Sequence, residues 1–314
     1  MDLSAGSTAQ DHLPPSAKLV RLKLLLTAGQ VASLLARRQL IRNPRLLTWW
    51  LRFKGKPRIA AGDYEFSPDQ SLWQVADILL HERFTRNWVT FPEGWNRFRI
   101  ARRLEERGIA SAKEFLTFCA QPKRFADIGF PLPKGNLEGY LFPDTYRLPP
   151  GSGAEVAIRA SLHAFRQRVY LPFQAEWAKS KERLHQTLII ASLIEKEARY
   201  DRDRPLIAAV IYNRLARGMP LQIDATVLYA QGRWKSRVLY RDLRHLSPYN
   251  TYLKRGLPPG PIANPGLASI RAALKPANVA YLYYVAQKNG YHRFSHTYEQ
   301  HRRVVRELRG EGVR

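Results

Sequence analysis

The stretch Gln186–Tyr200, QTLIIASLIEKEARY, decides how the rest of the chain is read. It holds no Gly or Pro and is rich in Ala, Leu, Ile, Glu and Lys, so it reads as a helix. Ile190, Leu193, Ile194 and Glu197 fall at i, i+3, i+4 and i+7. At roughly 100° per residue, Glu197 lies about 20° from Ile190 around the axis, inside the apolar stripe. Glu195 faces the other way and is placed to pair with Arg199 at i+4. A carboxyl on an apolar face has its charged form desolvated, which raises its pKa. A general acid working near neutral pH needs that property. The same position also suits a carboxylate that closes the buried stripe and reaches water, or one that pairs with an arginine. The helix alone leaves both readings open.

Working outward, 314 residues allow one large domain or two smaller ones. The composition is 45% hydrophobic with seven Trp, fifteen Tyr and thirteen Phe, which is ample core material. Lys and Arg number 51 against 26 Asp and Glu, a net +25 that attracts polyanions: nucleic acid, anionic headgroups or anionic wall polymers. Much of the excess is Arg spread along helices, as at Arg99, Arg102, Arg103 and Arg107, rather than gathered in a basic arm. A single Cys119 excludes an intramolecular disulfide and a thiolate cage, and its setting suggests a buried small hydrophobe. The apolar run Leu19–Leu35 is broken by Arg21 and Lys23, so no membrane-spanning helix is expected, and no signal-peptide core is visible.

Residues 1–16 read as disordered. Residues 17–86 read as a small binding or spacer domain: a strand Lys18–Leu26, a helix Gln30–Arg38, and a second helix Arg45–Phe53 with Trp49 and Trp50 expected in the core. A strand near residues 61–66 and a helix capped by Ser71 complete it. Residues 87–314 form the larger domain, and the fold class is α+β. Its expected helices include Arg97–Arg107, Ser111–Ala120, an unbroken Ala154–Ala178, and Pro205–Arg217 with Gly218 past its end. Ser111 and Glu114 suggest a capping box at the second of these. Val279–Val285 reads as a strand dense in Tyr.

Residues 220–226 alternate, so an extended backbone would put Gln222, Asp224 and Thr226 on one polar face suited to a hydroxyl-rich ligand. Asp224 could equally N-cap a helix starting at Ala225. The long Pro- and Gly-shaped loop 247–266 carries Asn250, Thr251 and Tyr252, either as a polar cleft wall or as structure packed under Tyr281–Tyr284. His292, His296 and His301 lack acidic partners at zincin spacing and HEXXH is absent, so no metal and no cofactor are expected. There is no G-x-S-x-G and no phosphate-binding glycine loop.

The segments NLEGYLFPDTY, ASLIEKEA, VIYNRLARGMPLQIDATVLYA, NTYLKRGLPPGPIANPG and YLYYVAQKNGYHRFSHT occur in that order. Together they closely resemble the endolytic murein transglycosylase family of bacteria, from about residue 18 to the C-terminus and most densely over residues 136–301. The resemblance implies a lyase that cuts peptidoglycan glycan strands internally at the MurNAc–GlcNAc β-1,4 bond and leaves a 1,6-anhydro-MurNAc end. The family's catalytic Glu is the second of its E-K-E motif, here Glu197. Gln222, Asp224, Thr226, Asn250, Thr251 and Tyr252 match motif positions and would line the sugar cleft. Glu138 matches too, binding substrate or supporting the fold, and Glu195 would be a helper or a salt-bridge residue. The N-terminal block resembles the family's LysM-like portion, which would engage glycan. The family implies an extracytoplasmic site on the inner membrane and work beside peptidoglycan synthases. Family members usually begin with a membrane-spanning helix, which this sequence does not display. Two other readings stand beside it: a basic, non-enzymatic nucleic-acid or polyanion binder, disfavoured by the lack of any reading module, and a hydrolase of the same glycan.

Overall fold

The computed structural model describes residues 18–22, 26–60, 62–81, 88–148, 151–180, 182–233, 235 and 238–310. The expectation for residues 1–16 lies outside them. The chain divides into two units, Met1–Val89 with Arg147–Pro150, and Thr90–Tyr146 with Gly151–Arg314.

In the first unit, β1 (Lys18–Leu22) pairs antiparallel with a later strand, and β2 (Leu26–Thr27) leads into α1 (Ala28–Arg37). Thr27 and Gln30 cap that helix reciprocally, satisfying two of its first N–H groups. Then come α2 (Pro44–Phe53), β3 (Arg58–Ile59), β4 (Gly62–Phe66) and α3 (Leu72–Leu80). β1 lies against β4 with Val20 opposite Tyr64, and β2 lies against β3. Val31, Leu35, Leu47, Leu51, Tyr64 and Leu79 fill one core. Trp50 is half-buried and packs against its edge, whereas Trp49 lies outside it. Trp49 is 58% exposed, because Leu47 and Leu51 already occupy the inward side of α2.

Strand β5 (Trp88–Thr90) crosses the boundary between the units, and the second unit runs on through α4 (Arg97–Glu106) and α5 (Ala112–Cys119) to β6 (Thr145–Arg147), whose last residue falls in the first unit. At the start of α5, Ser111 accepts the Glu114 N–H without the reciprocal bond from the Ser111 N–H to the Glu114 carboxylate, so the capping box is half made; the next free N–H, of Ala112, goes to Glu105. Helix α6 (Ala154–Phe165) passes through a π turn at Arg166–Tyr170 to the short α7 (Gln174–Trp177). The expected continuous helix to Ala178 is therefore broken. Pro172 supplies no N–H to continue the ladder there.

Next is α8 (Arg183–Glu197), the stretch on which the sequence reading turned. Thr187 through Ile194 are all buried, so α8 is enclosed on every side rather than along one stripe. It packs against α7, and against α9 (Arg204–Ala216), α10 (Asp224–Gln231) and α11 (Leu267–Leu274). A hairpin of β7 (Tyr283–Ala286) and β8 (His292–Ser295), followed by α12 (Tyr298–Arg309), completes the chain.

Helix α8 stops at Glu197, three residues before its expected end, although no Gly or Pro intervenes. The tip of the β7–β8 hairpin takes the following residues off the helix axis. Tyr200 stacks on Tyr291 at 4.1 Å and its hydroxyl donates to the Asn289 carbonyl. Arg199 lies against Gly290, where a Cβ would come within 2.5 Å of its Cδ.

Candidate active site

Ending α8 at Glu197 places that side chain in a cleft of about 390 Å³, lined among others by Arg214, Gln222, Asp224, Tyr252 and Tyr284. The Tyr284 hydroxyl, on β7, donates to Glu197 Oε2 at 3.1 Å. Burial raises the Glu197 pKa from 4.5 to about 7, and the negative charge of Asp224 pushes the same way. The Tyr284 hydrogen bond and the Lys196 ammonium oppose the rise without cancelling it. The carbonyl end of α8, with its partial negative charge, also disfavours a carboxylate here. The outcome is a carboxyl that holds a proton near neutral pH and can release it.

The opposite wall is Gln222–Asp224 with Tyr252. The expected extended face does not form. Gln222 sits at φ 53, Ile223 is extended, and Asp224 is already the first residue of α10. Gln222 and Asp224 remain exposed to the cleft, whereas Thr226, one turn into the helix, points inward and is buried. Asp224 is not the N-cap either; that place falls to Ile223. The Tyr252 hydroxyl donates to Asp224 Oδ1 at 2.5 Å, which fixes the carboxylate on the rim.

Asn250, Thr251 and Thr226 build this wall from behind rather than line it. Asn250 is buried, its amide donating to the carbonyls of Leu243 and His245 while its Oδ1 accepts the Tyr252 N–H. The Thr251 hydroxyl accepts the Ile223 N–H at 2.9 Å and meets the Thr226 hydroxyl at 3.0 Å. The Thr251 carbonyl takes the Gln222 N–H. These bonds hold Gln222 in a left-handed conformation that a non-glycine residue rarely keeps unaided.

Glu195 does not pair with Arg199, because α8 has ended before the i+4 position. Its Oε2 receives Arg204 Nη1 at 3.2 Å, the Ser269 hydroxyl at 2.8 Å and the Gly266 N–H at 3.1 Å, joining α8 to α9 and α11. Glu138 is 2% exposed and lies away from the cleft lining. It accepts bonds from the Arg97 backbone and guanidinium, the Tyr229 hydroxyl and the Asn264 amide. Burial pushes its pKa up to about 7 against the pull of Arg97. These bonds tie the start of α4 to α10 and to Asn264 of the loop before α11.

Tyr284, Arg214 and His292 line the cleft but were not among the expected site residues. Tyr284 was visible only as one of three tyrosines in the expected strand Val279–Val285. Arg214 spans two walls, donating to the carbonyls of Leu282 at 2.7 Å and Leu221 at 2.8 Å. His292 also faces the cleft, its Nδ1 on Asp203 Oδ2 at 2.9 Å. That carboxylate favours the proton on Nδ1. No group of three or more His, Cys, Asp or Glu among the described residues is placed to hold a metal ion.

A family model described as the YceG-like family matches residues 25–307, spanning α8, the cleft and both units. The chain belongs to the YceG-like family. A Bacillus subtilis (strain 168) relative named endolytic murein transglycosylase is 37% identical over 292 residues, covering 88% of this chain and 81% of that one. A Streptococcus pneumoniae (strain R6) protein of the same name is 29% identical over 308 residues, and the alignment spans 56% of its length. Among solved structures, a YceG-like protein from Listeria monocytogenes matches with a TM-score of 0.63 at 33% identity, covering 92% of this chain and 99% of that one. No helix among the described residues is long and apolar enough to cross a membrane.

Proposed function

We propose that this YceG-like chain is an endolytic peptidoglycan lytic transglycosylase. The observation that carries the reading is Glu197: one carboxyl, poised at about pH 7, in a cleft rimmed by polar and aromatic side chains. The names of the Bacillus and Streptococcus relatives support the same substrate class.

In the proposed reaction, protonated Glu197 donates to the bridging oxygen of a MurNAc–GlcNAc bond as the bond from MurNAc C1 breaks. Oxocarbenium character develops at C1. The Glu197 carboxylate then accepts the proton of the same sugar's C6 hydroxyl while O6 bonds to C1. The proton given in the first step is recovered in the second, and no water is consumed. A second carboxyl acting on water is therefore unnecessary. Asp224, held by Tyr252, contributes negative charge on the cleft rim that favours the cationic transition state. Tyr284 occupies one Glu197 oxygen and so directs the acidic proton to the other. Such a substrate lies on the extracytoplasmic side of the membrane, beside the synthases that polymerise it, and an internal cut would end a growing strand.

Digestion of purified sacculi with mass analysis of the products tests the assignment. Anhydro-ended fragments from the wild type and none from Glu197→Gln are expected. Fragments carrying an added water would make the enzyme a hydrolase. Cleavage at the wild-type rate by the Gln variant would remove Glu197 from the acid role.

A further inference from the structure

The N-terminal unit carries a surface that the cleft chemistry does not use. Residues 12–62 contain no Asp or Glu, yet hold eleven Lys and Arg. Helix α2 lies within this segment and is apolar on two sides. Leu47 and Leu51 face the core and are fully buried. Leu46, Trp49, Trp50 and Phe53, at i, i+3, i+4 and i+7, form a second stripe within about 100° of arc. Most of that stripe faces out: Leu46 is 38%, Trp49 58% and Phe53 67% exposed, with Trp73 of α3 beside it at 52%, while Trp50 is half-buried against the core. The rings pack on one another, Trp49 on Phe53 at 5.5 Å and Trp50 edge-on to Trp73 at 4.8 Å. Exposed Arg45 and Arg52 border the stripe on one side. Lys54 borders it on the other, its ammonium 5.0 Å from the Trp50 ring.

We infer that this face of α2 docks on the interfacial zone of an anionic lipid bilayer. Indole and phenyl rings settle at headgroup depth, where one part of the ring is apolar and another wet. Flanking Arg and Lys bury their stems along the acyl boundary and keep their charges among phosphates. The carboxylate-free run removes the repulsion that an anionic leaflet would otherwise meet. A glycan would call for amide or carboxylate partners beside the rings to take its hydroxyls. The groups bordering the α2 stripe are cationic, the Thr48 hydroxyl is donated to the Pro44 carbonyl, and Asp77, one turn from Trp73 on α3, is paired with His81.

Co-sedimentation of the full chain with phosphatidylcholine vesicles, with and without phosphatidylglycerol, tests the inference. Wild type should partition onto the anionic vesicles, weaken with added salt and shift its Trp emission to the blue. Trp49→Ser with Phe53→Ser should lower partitioning about tenfold or more. Arg45→Glu with Arg52→Glu should do so at low salt. Both double variants should keep the wild-type far-UV circular dichroism and cooperative thermal unfolding, which establishes that they fold. Failure of the wild type to bind anionic vesicles, or equal binding by both variants, overturns the inference. So does loss in the variants of binding to purified glycan or of self-association, with vesicle binding intact, because the face would then belong to the glycan or to a second copy.

Discussion

The proposed chemistry rests on Glu197, and its environment makes two measurable claims. A carboxyl that must give a proton and take one back in a turnover serves best with a pKa near ambient pH. Glu197→Gln keeps the shape and the acceptor for Tyr284 but removes the proton, so turnover should fall by roughly 10³-fold or more. The same substitution should stabilise the fold in a pH-dependent way. The folded pKa of about 7 lies above the ordinary 4.5, so the native state binds the proton more tightly than the unfolded chain does. Wild-type stability from this group is full below 4.5 and declines as pH rises through 7. The difference reaches at most about 3 kcal/mol. Gln removes that decline. Denaturant unfolding at pH 8 should find the variant more stable than wild type, and at pH 4 the two should converge. Tyr284→Phe acts on the same carboxyl in the opposite sense. Losing a hydrogen bond to the ionised form raises the Glu197 pKa further, so the alkaline limb of the pH–rate profile should move up. Turnover should fall about tenfold or more. A merely structural Tyr284 would lower activity without moving the limb.

At the scale of elements, the separation is between what local pattern encodes and what tertiary contact imposes. The α+β class and the place of α8 were legible, because helix-forming residues without breakers set them. The end of α8 was not, because nothing local stops it; Tyr200 stacking on Tyr291, 91 positions further on, does. The alternation at residues 220–226 misled for a related reason. It is a true period of two, but Thr251 takes the Gln222 and Ile223 N–H groups and turns the backbone into α10. Trp49 misled because an apolar stripe says nothing of which neighbour covers it, whereas its neighbour Trp50 does pack against the core. The wall made by Asn250 and Thr251 can be tested directly. Thr251→Val keeps the volume but leaves the buried Ile223 N–H without its acceptor, at a cost of about 1–3 kcal/mol. It should also loosen Gln222 and Asp224, lowering kcat/KM while the Glu197 limb of the pH profile stays in place. A variant that lost stability but kept kcat/KM would remove the positioning role of this loop.

Over the whole molecule, charge works on two levels that respond differently to salt. Glu138 with Arg97, and Glu195 with Arg204, are enclosed pairs that tie distant segments of the larger unit together, and bulk ions screen them weakly. Pairs such as Arg124–Glu155, Arg293–Glu307 and Lys179–Glu176 lie at the surface, where each contributes on the order of 0–1 kcal/mol and weakens in salt. Against these stands a net charge of +25, whose self-repulsion grows as the chain compacts. The acids number 26 against 51 bases, so even a complete set of surface pairs would leave about half the cations facing one another. Screening therefore removes more repulsion than attraction. Thermal unfolding between about 0.01 M and about 0.15 M salt, where the screening length falls from about 30 Å to about 8 Å, should show Tm rising. A Tm that fell over that range would mean that surface pairing, rather than the enclosed pairs and the apolar core, holds the fold against its own charge.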